Sequence, residues 1–136
     1  MTTTRAWYVA TVVIGIALLL ASGRARLDAQ PPADPAISVG ASDLGGVVTG
    51  ANGPEAGVWV IAETTDLPTK FAKIVVTDDR GRYLIPELPK ATYTVWVRGY
   101  GLVDSPKLRT APGALLNLTA VVAPNAADAA EYYPAI

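Results

Sequence analysis

The chain has no cysteine and no histidine among its 136 residues. Without cysteine it can form no disulfide, thiolate metal site, iron–sulfur cluster or c-type haem attachment. Without histidine it lacks the commonest general base, the commonest metal ligand and every Ser–His or Cys–His nucleophile. A basic stripe is missing too. With 11 Lys and Arg against 12 Asp and Glu, the formal charge is −1, the balance of an ordinary soluble surface and not of a nucleic-acid binder. No enzyme activity, cofactor, metal or nucleic-acid partner is therefore expected. Helical periodicity of useful length is also absent from Leu44 onward.

A long apolar run stands at the N-terminus. Arg5 gives a short basic start, and Ala6 to Gly23 then carries no charge. Small residues follow, with candidate cleavage points after Gly23 and after Ala29. This is the layout of a secretory signal peptide. The run just reaches membrane-spanning length, and Arg24 and Arg26 follow it directly, so an uncleaved signal anchor stands as the alternative. Residues 1–29 are accordingly expected to be a signal peptide or a signal anchor, and residues 30–43, which include Gln30-Pro31-Pro32-Ala33-Asp34-Pro35, a Pro-rich linker. The folded part is expected to be exported: periplasmic, secreted, or held at the inner membrane by the retained signal. Membrane contact is expected through this segment alone. No cysteine follows the run to carry a lipid. The roughly 105 residues beyond the leader suffice for one core without covalent staples.

From Leu44 to Val122 short β runs alternate with Gly- and Pro-rich turns. The expected strands are Leu44–Thr49, Gly57–Glu63, Lys70–Thr77, Arg82–Ile85, Thr92–Arg98 and Leu115–Val122, with a short extended piece after Gly101. Val58, Val60 and Ala62 should face one way, and Trp59, Ile61 and Glu63 the other. In the clearest strand, Tyr93, Val95 and Val97 point inward and Thr94, Trp96 and Arg98 outward. Asp78-Asp79-Arg80-Gly81 is a tight turn in which Gly81 can supply a positive φ. Residues 86–90 are too rich in proline to join a ladder. Six or seven such strands indicate an antiparallel sandwich or barrel. In the tail, 123–136, Asn125 can cap a brief helix ended by Pro134, too short to stand without docking.

These motifs, taken in order, resemble the carboxypeptidase regulatory-like domain. The residues that carry the likeness are Gly46-Val47-Val48, Glu55-Ala56-Gly57-Val58-Trp59-Val60, Thr77-Asp78-Asp79-Arg80-Gly81-Arg82-Tyr83, Leu88-Pro89, Tyr93-Thr94-Val95-Trp96-Val97 and Gly99-Tyr100-Gly101. Ala91 stands near where that family often has Gly. The resemblance implies an all-β fold, a seven-stranded antiparallel prealbumin-like (transthyretin-like) sandwich over 44–122, with a topology shared with carbohydrate-binding modules. It implies an accessory module, such as the front module of longer exported bacterial proteins, and no peptidase activity. Thr77, Asp78, Gly81 and Tyr83 are then structural hairpin residues.

A Ca²⁺ or paired-carboxylate reading of Asp78, Asp79 and Glu87 has too few oxygen ligands at alternate positions, whereas turn chemistry explains both aspartates. The Ser and Thr hydroxyls have no local base. Strand parity leaves Trp59, Trp96 and Arg98 as the candidate surface for a ligand or partner: two outward indoles that, on neighbouring strands, would form one exposed aromatic patch. Such a patch suits docking of another protein or adjoining domain, or, alternatively, stacking on a polysaccharide; the plainer alternative is a half-buried outer face covered by the linker or the tail.

Overall fold

The computed structural model describes residues 36–132. The expected signal segment, residues 30–35 of the expected linker and residues 133–136 of the tail lie outside the described residues. Within them the chain is all-β apart from one short helix.

The organising strand is β1, Leu44–Gly50. On one edge it pairs antiparallel with β5, Arg82–Ile85, in the register Leu44↔Ile85 to Val47↔Arg82. Beyond that register its end folds back on β2, Gly53–Pro54, through the tight turn that the Gly50-Ala51-Asn52-Gly53 run encodes. On its other edge it pairs in parallel with β9, Ala114–Leu115, and β10, Leu118–Thr119.

A second sheet is antiparallel throughout, in the order β4, β3, β6, β8. These strands are β3 Trp59–Thr64, β4 Phe71–Val76, β6 Tyr93–Arg98 and β8 Leu108–Thr110. The ribbon of β7, Leu102–Val103, with β11, Val121–Val122, completes the strands.

The two sheets share one core, an arrangement consistent with a sandwich. Leu44 and Val48 of β1, Tyr83 and Ile85 of β5 and Leu118 of β10 meet Val60 and Ala62 of β3 and Tyr93, Val95 and Val97 of β6. Each of the Leu, Ile and Val side chains among them contributes about 2 kcal/mol by leaving water. The alternation read from the sequence thus places the expected set inward, because a two-residue period admits only one face to the core.

The last expected strand is different. In place of one run over Leu115–Val122 there are three two-residue pieces, for reasons that lie in β1. Gly46 falls on the core face between Leu44 and Val48, and a Cβ there would lie 2.0 Å from the carbonyl oxygen of Leu116. The missing side chain lets Leu116 press in; its N–H donates to Gly45 O (2.7 Å) and its carbonyl accepts the Tyr83 hydroxyl (2.6 Å). The chain bulges here, so the side-chain oxygen of Asn117 replaces a backbone acceptor for Val47 N–H (3.0 Å). Pairing resumes at β10. Past Ala120, whose N–H donates to Thr49 O (2.8 Å), the chain leaves β1 for β7.

Two loops show where special backbone is needed. The left-handed residue in the 86–90 loop is Glu87 (φ 52°), not Ala91, which packs against the core. Glu87 is held by its N–H donating to the Asp43 carboxylate (3.0 Å), while Leu88 N–H donates to Ser42 O (2.7 Å) and plugs the core with its side chain. The expected helix forms as α1, Ala126–Tyr132. Asn125 caps it, its side-chain oxygen accepting from the N–H groups of Ala127 and Asp128 (3.0 Å each). With only seven residues it needs outside support, and it has it in contacts with β7.

Gly46→Ala should cost about 3 kcal/mol or more in denaturant unfolding, since the obstacle is backbone that cannot step aside. Gly101→Ala, at φ +71° with open space around its Cβ, should cost only about 1 kcal/mol. Equal losses would contradict the close approach of Leu116.

Candidate interaction surface

Thr77, Asp78, Gly81 and Tyr83 form a connected brace. The buried Thr77 hydroxyl donates to Glu55 O (2.7 Å) and accepts from Val58 N–H (3.1 Å), tying the β2–β3 loop to the end of β4. One oxygen of Asp78 accepts the N–H groups of Arg80 and Arg82 (2.9 Å each). Its other oxygen takes the Arg82 guanidinium through Nε (2.8 Å) and Nη2 (2.7 Å). Gly81 adopts φ +71°, and its carbonyl accepts from Val48 N–H (2.8 Å). A Cβ at Gly81 would sit 2.5 Å from Val48 O, so neither the torsion nor the space admits one. Tyr83 hangs from this turn into the core, where burial pushes its phenol above the usual range.

Both carboxylates of the turn are far from a metal-ligand arrangement. Glu87 sits at the opposite end of β5 from Asp78, and among the described residues no three acidic side chains gather to hold an ion.

The outer face of the second sheet brings the other named residues together. Trp59 lies opposite Arg98, and Ile61 opposite Trp96, in the β3–β6 pairing. On the other side of β3, Trp59 faces Val76, and Ile61 faces Ile74. The face therefore reads Val76–Trp59–Arg98 and Ile74–Ile61–Trp96 across neighbouring strands. The shared face expected from parity is present, but the exposed patch is not. Trp96 is 6% exposed and Ile61 6%, while Trp59 is half-buried. The open apolar residues are instead Ile74 (55%) and Val76 (56%) on the edge strand β4.

Part of the correction lies in the segment after β7. Ser105 is buried, its N–H donating to Val97 O (3.1 Å) and its Oγ accepting from Val97 N–H (2.8 Å). This clamp completes the β6 edge above β8, where Pro106 stops the ladder. It sets Asp104 against Arg98, in a two-pronged pair through Nε (2.7 Å) and Nη2 (2.8 Å). That carboxylate's hydrogen bonds hold the Arg98 guanidinium above its usual range. It also sets Lys107 over Trp96, with Nζ 4.4 Å from the ring centroid, a cation–π contact. Trp96 Nε1 is buried and has no hydrogen-bond partner among the described residues.

Asp104, Ser105, Lys107 and Asn117 were invisible to pattern reading. Asp104, Ser105 and Lys107 lie in no regular alternation and act on β6, through the Arg98 side chain, the Val97 backbone and the Trp96 ring; Asn117 sits in an alternating run, and its role as acceptor for Val47 N–H depends on a contact seventy residues away. Pro106 was the one local sign that this edge ends irregularly.

Asp78 is held below the ordinary carboxylate value of 3.8 by its hydrogen bonds to the Arg82 side chain and to nearby N–H groups. A depressed folded pKa contributes stability above the unfolded value, lost as pH falls through the folded one. An NMR titration should place the Asp78 midpoint below that of a free aspartate, and Arg82→Gln should raise it. An unchanged midpoint in Arg82→Gln would contradict the brace. On the outer face, Asp104→Asn should cost about 1–2 kcal/mol by leaving the part-buried Arg98 without its counter-charge. Lys107→Met should cost only about 0.5 kcal/mol, both read from urea unfolding.

Searches with this sequence matched no family model and no curated protein.

Proposed function

We propose that this chain is an exported, non-catalytic accessory module of the carboxypeptidase regulatory-like type, with a prealbumin-like sandwich, that supports or docks another protein or an adjoining domain. The observation that carries this reading is the outer sheet face. Ile74 and Val76 stand open on the edge strand beside the half-buried Trp59, and ion pairs rim them: Glu63 with Lys70 (3.3 Å) and Arg98 with Asp104 (2.7 Å). An apolar centre with a charged border is the composition of a protein-docking patch. An edge strand also offers free backbone groups to an added strand.

The family resemblance and the makeup of the chain support the non-catalytic part. The hydroxyls and carboxylates most suggestive in sequence are occupied in turns, as Thr77 and Asp78 are. Export rests on the pattern of residues 1–29.

Polysaccharide binding is the weaker reading. It called for two open indole faces, and Trp96 has Lys107 over its ring. Titrating starch, cellulose, chitin and peptidoglycan against tryptophan fluorescence should give a flat response; a saturable shift would restore that reading.

The docking proposal is tested by Ile74→Asp and Val76→Asp. Both sites are exposed, so each should change stability by only about 0.5 kcal/mol while abolishing co-purification of the exported chain with its bound protein. Retention of the same complexes in both variants, with the fold intact, would overturn the proposal.

A further inference from the structure

β4 ends the second sheet, and only half of its backbone groups are used. Thr77 N–H donates to Val58 O (2.9 Å). In the β3–β4 register Val75, Lys73 and Phe71 therefore bond to β3 as well, while Ala72, Ile74 and Val76 turn N–H and C=O away from it. β6 agrees with that phase: Val97, opposite Val60, gives its N–H and C=O to Ser105, which leaves Val60 to bond β4. β5 does not take the outward groups. After Asp78 N–H donates to Arg82 O (2.9 Å), β5 diverges to pair with β1. Among the described residues this edge has no partner strand.

The same three residues carry the open apolar surface. Ala72 is exposed, as are Ile74 (55%) and Val76 (56%). Lys70 and Asp78 continue the alternation at either end, both exposed, Lys70 paired with Glu63 of the outer face. Lys73, the cation within the strand, points to the other face and donates to Pro86 O (2.5 Å), so no charge interrupts the row.

This pattern is self-complementary. Two copies of β4, antiparallel about a two-fold axis at Ile74, set Ile74 against Ile74, Ala72 against Val76 and Lys70 against Asp78. Each apolar pair is of the hydrogen-bonded kind and exchanges two backbone bonds. Every outward group from Ala72 to Val76 is then used, and Ile74 and Val76 are covered by their counterparts. Opposite charges close both ends, Lys70 standing beside an Asp78 that keeps its own Arg82. Other registers lose this fit. A slip of two residues sets Lys70 against Arg80 and Ala72 against Asp78, or, in the other direction, Lys70 against Val76. A slip of one opposes the outer row of one copy to the inner row of the other.

We propose that the protein seated on β4 is a second copy of this chain, the two β4 strands pairing antiparallel about Ile74 and joining two second sheets into one. This assignment rests on the docking reading of the β4 edge and names its partner.

With no native cysteine, single replacements in the full-length chain read the register directly. Across a hydrogen-bonded pair the Cα atoms stand about 5.5 Å apart, within disulfide range. Under mild oxidation Ile74→Cys should therefore dimerise by itself. Ala72→Cys and Val76→Cys, each about 14 Å from its own counterpart, should not. The two produced together should give about ten times the disulfide dimer of either alone, and Leu115→Cys should give none. Association through the apolar run of residues 6–23 would not select among these positions. Failure of Ile74→Cys to cross-link, a mixture no better than its components, or equal cross-linking of all four variants would overturn the proposal. The co-purification of Ile74→Asp and Val76→Asp then separates the two ideas. Loss of a complex with a different protein would keep the docking reading without the self-pairing, and an intact complex would remove both.

Discussion

The fold depends on the close approach of Leu116 to Gly46. β1 is hydrogen-bonded on both edges, and its core face has to admit another segment's backbone at the centre. Only a missing side chain makes that room: a Cβ at Gly46 would stand 2.0 Å from the Leu116 carbonyl oxygen. From this contact follow the bulge at 116–117, the amide of Asn117 standing in as an acceptor for Val47, and the anchoring of Tyr83, whose hydroxyl ends on the same Leu116 carbonyl. Tyr83 is in turn suspended from the Asp78–Gly81 turn, and Gly81 bonds back to Val48 of β1. A closed circuit of backbone and side-chain hydrogen bonds thus joins β1, the turn and the bulged segment, and leaves few polar groups of this region unpaired in the interior.

The second sheet carries the consequences at the surface. Its inner face is committed to the core, so every feature available for association is on the outer face. There the clamp of Ser105 on Val97 decides which residues are open. By setting Asp104 on Arg98 and Lys107 on Trp96 it occupies both residues that parity alone would leave free, and the open apolar residues of this sheet's outer face are Ile74 and Val76 of β4. An edge strand with outward Ile74 and Val76 would invite uncontrolled pairing. Lys73, directly before Ile74 in sequence, donates to Pro86 O in the loop after β5 (2.5 Å), one device that ties this edge to the rest of the domain.

Much of this was legible in the sequence because it rests on local rules. The inward sets Val58–Val60–Ala62 and Tyr93–Val95–Val97 follow from a two-residue period. The Asp78–Gly81 turn follows from turn chemistry, and the Asn125 cap from the need of a helix N-terminus for an acceptor. What escaped depends on contacts distant in sequence. The run Leu115–Val122 alternates well enough to read as one strand, yet it changes partners, because β1 offers it space only at Gly46. Trp96 obeys parity and still is not exposed, since parity fixes the face of a sheet and not what lies over it. The left-handed residue of the 86–90 loop is Glu87, a position with no sequence sign, held by the carboxylate of Asp43 more than forty residues earlier.

The central claim is that the chain associates through the edge of its second sheet and not through its other exposed apolar residues. Site-specific photocrosslinking in cells that produce the chain addresses it most directly, with the reactive group placed in turn at Ile74, at Val76 and at Leu115, which is 63% exposed on the first sheet. The account predicts discrete crosslinked species from Ile74 and Val76 and none from Leu115. Equal crosslinking from all three positions, or from Leu115 alone, would contradict it.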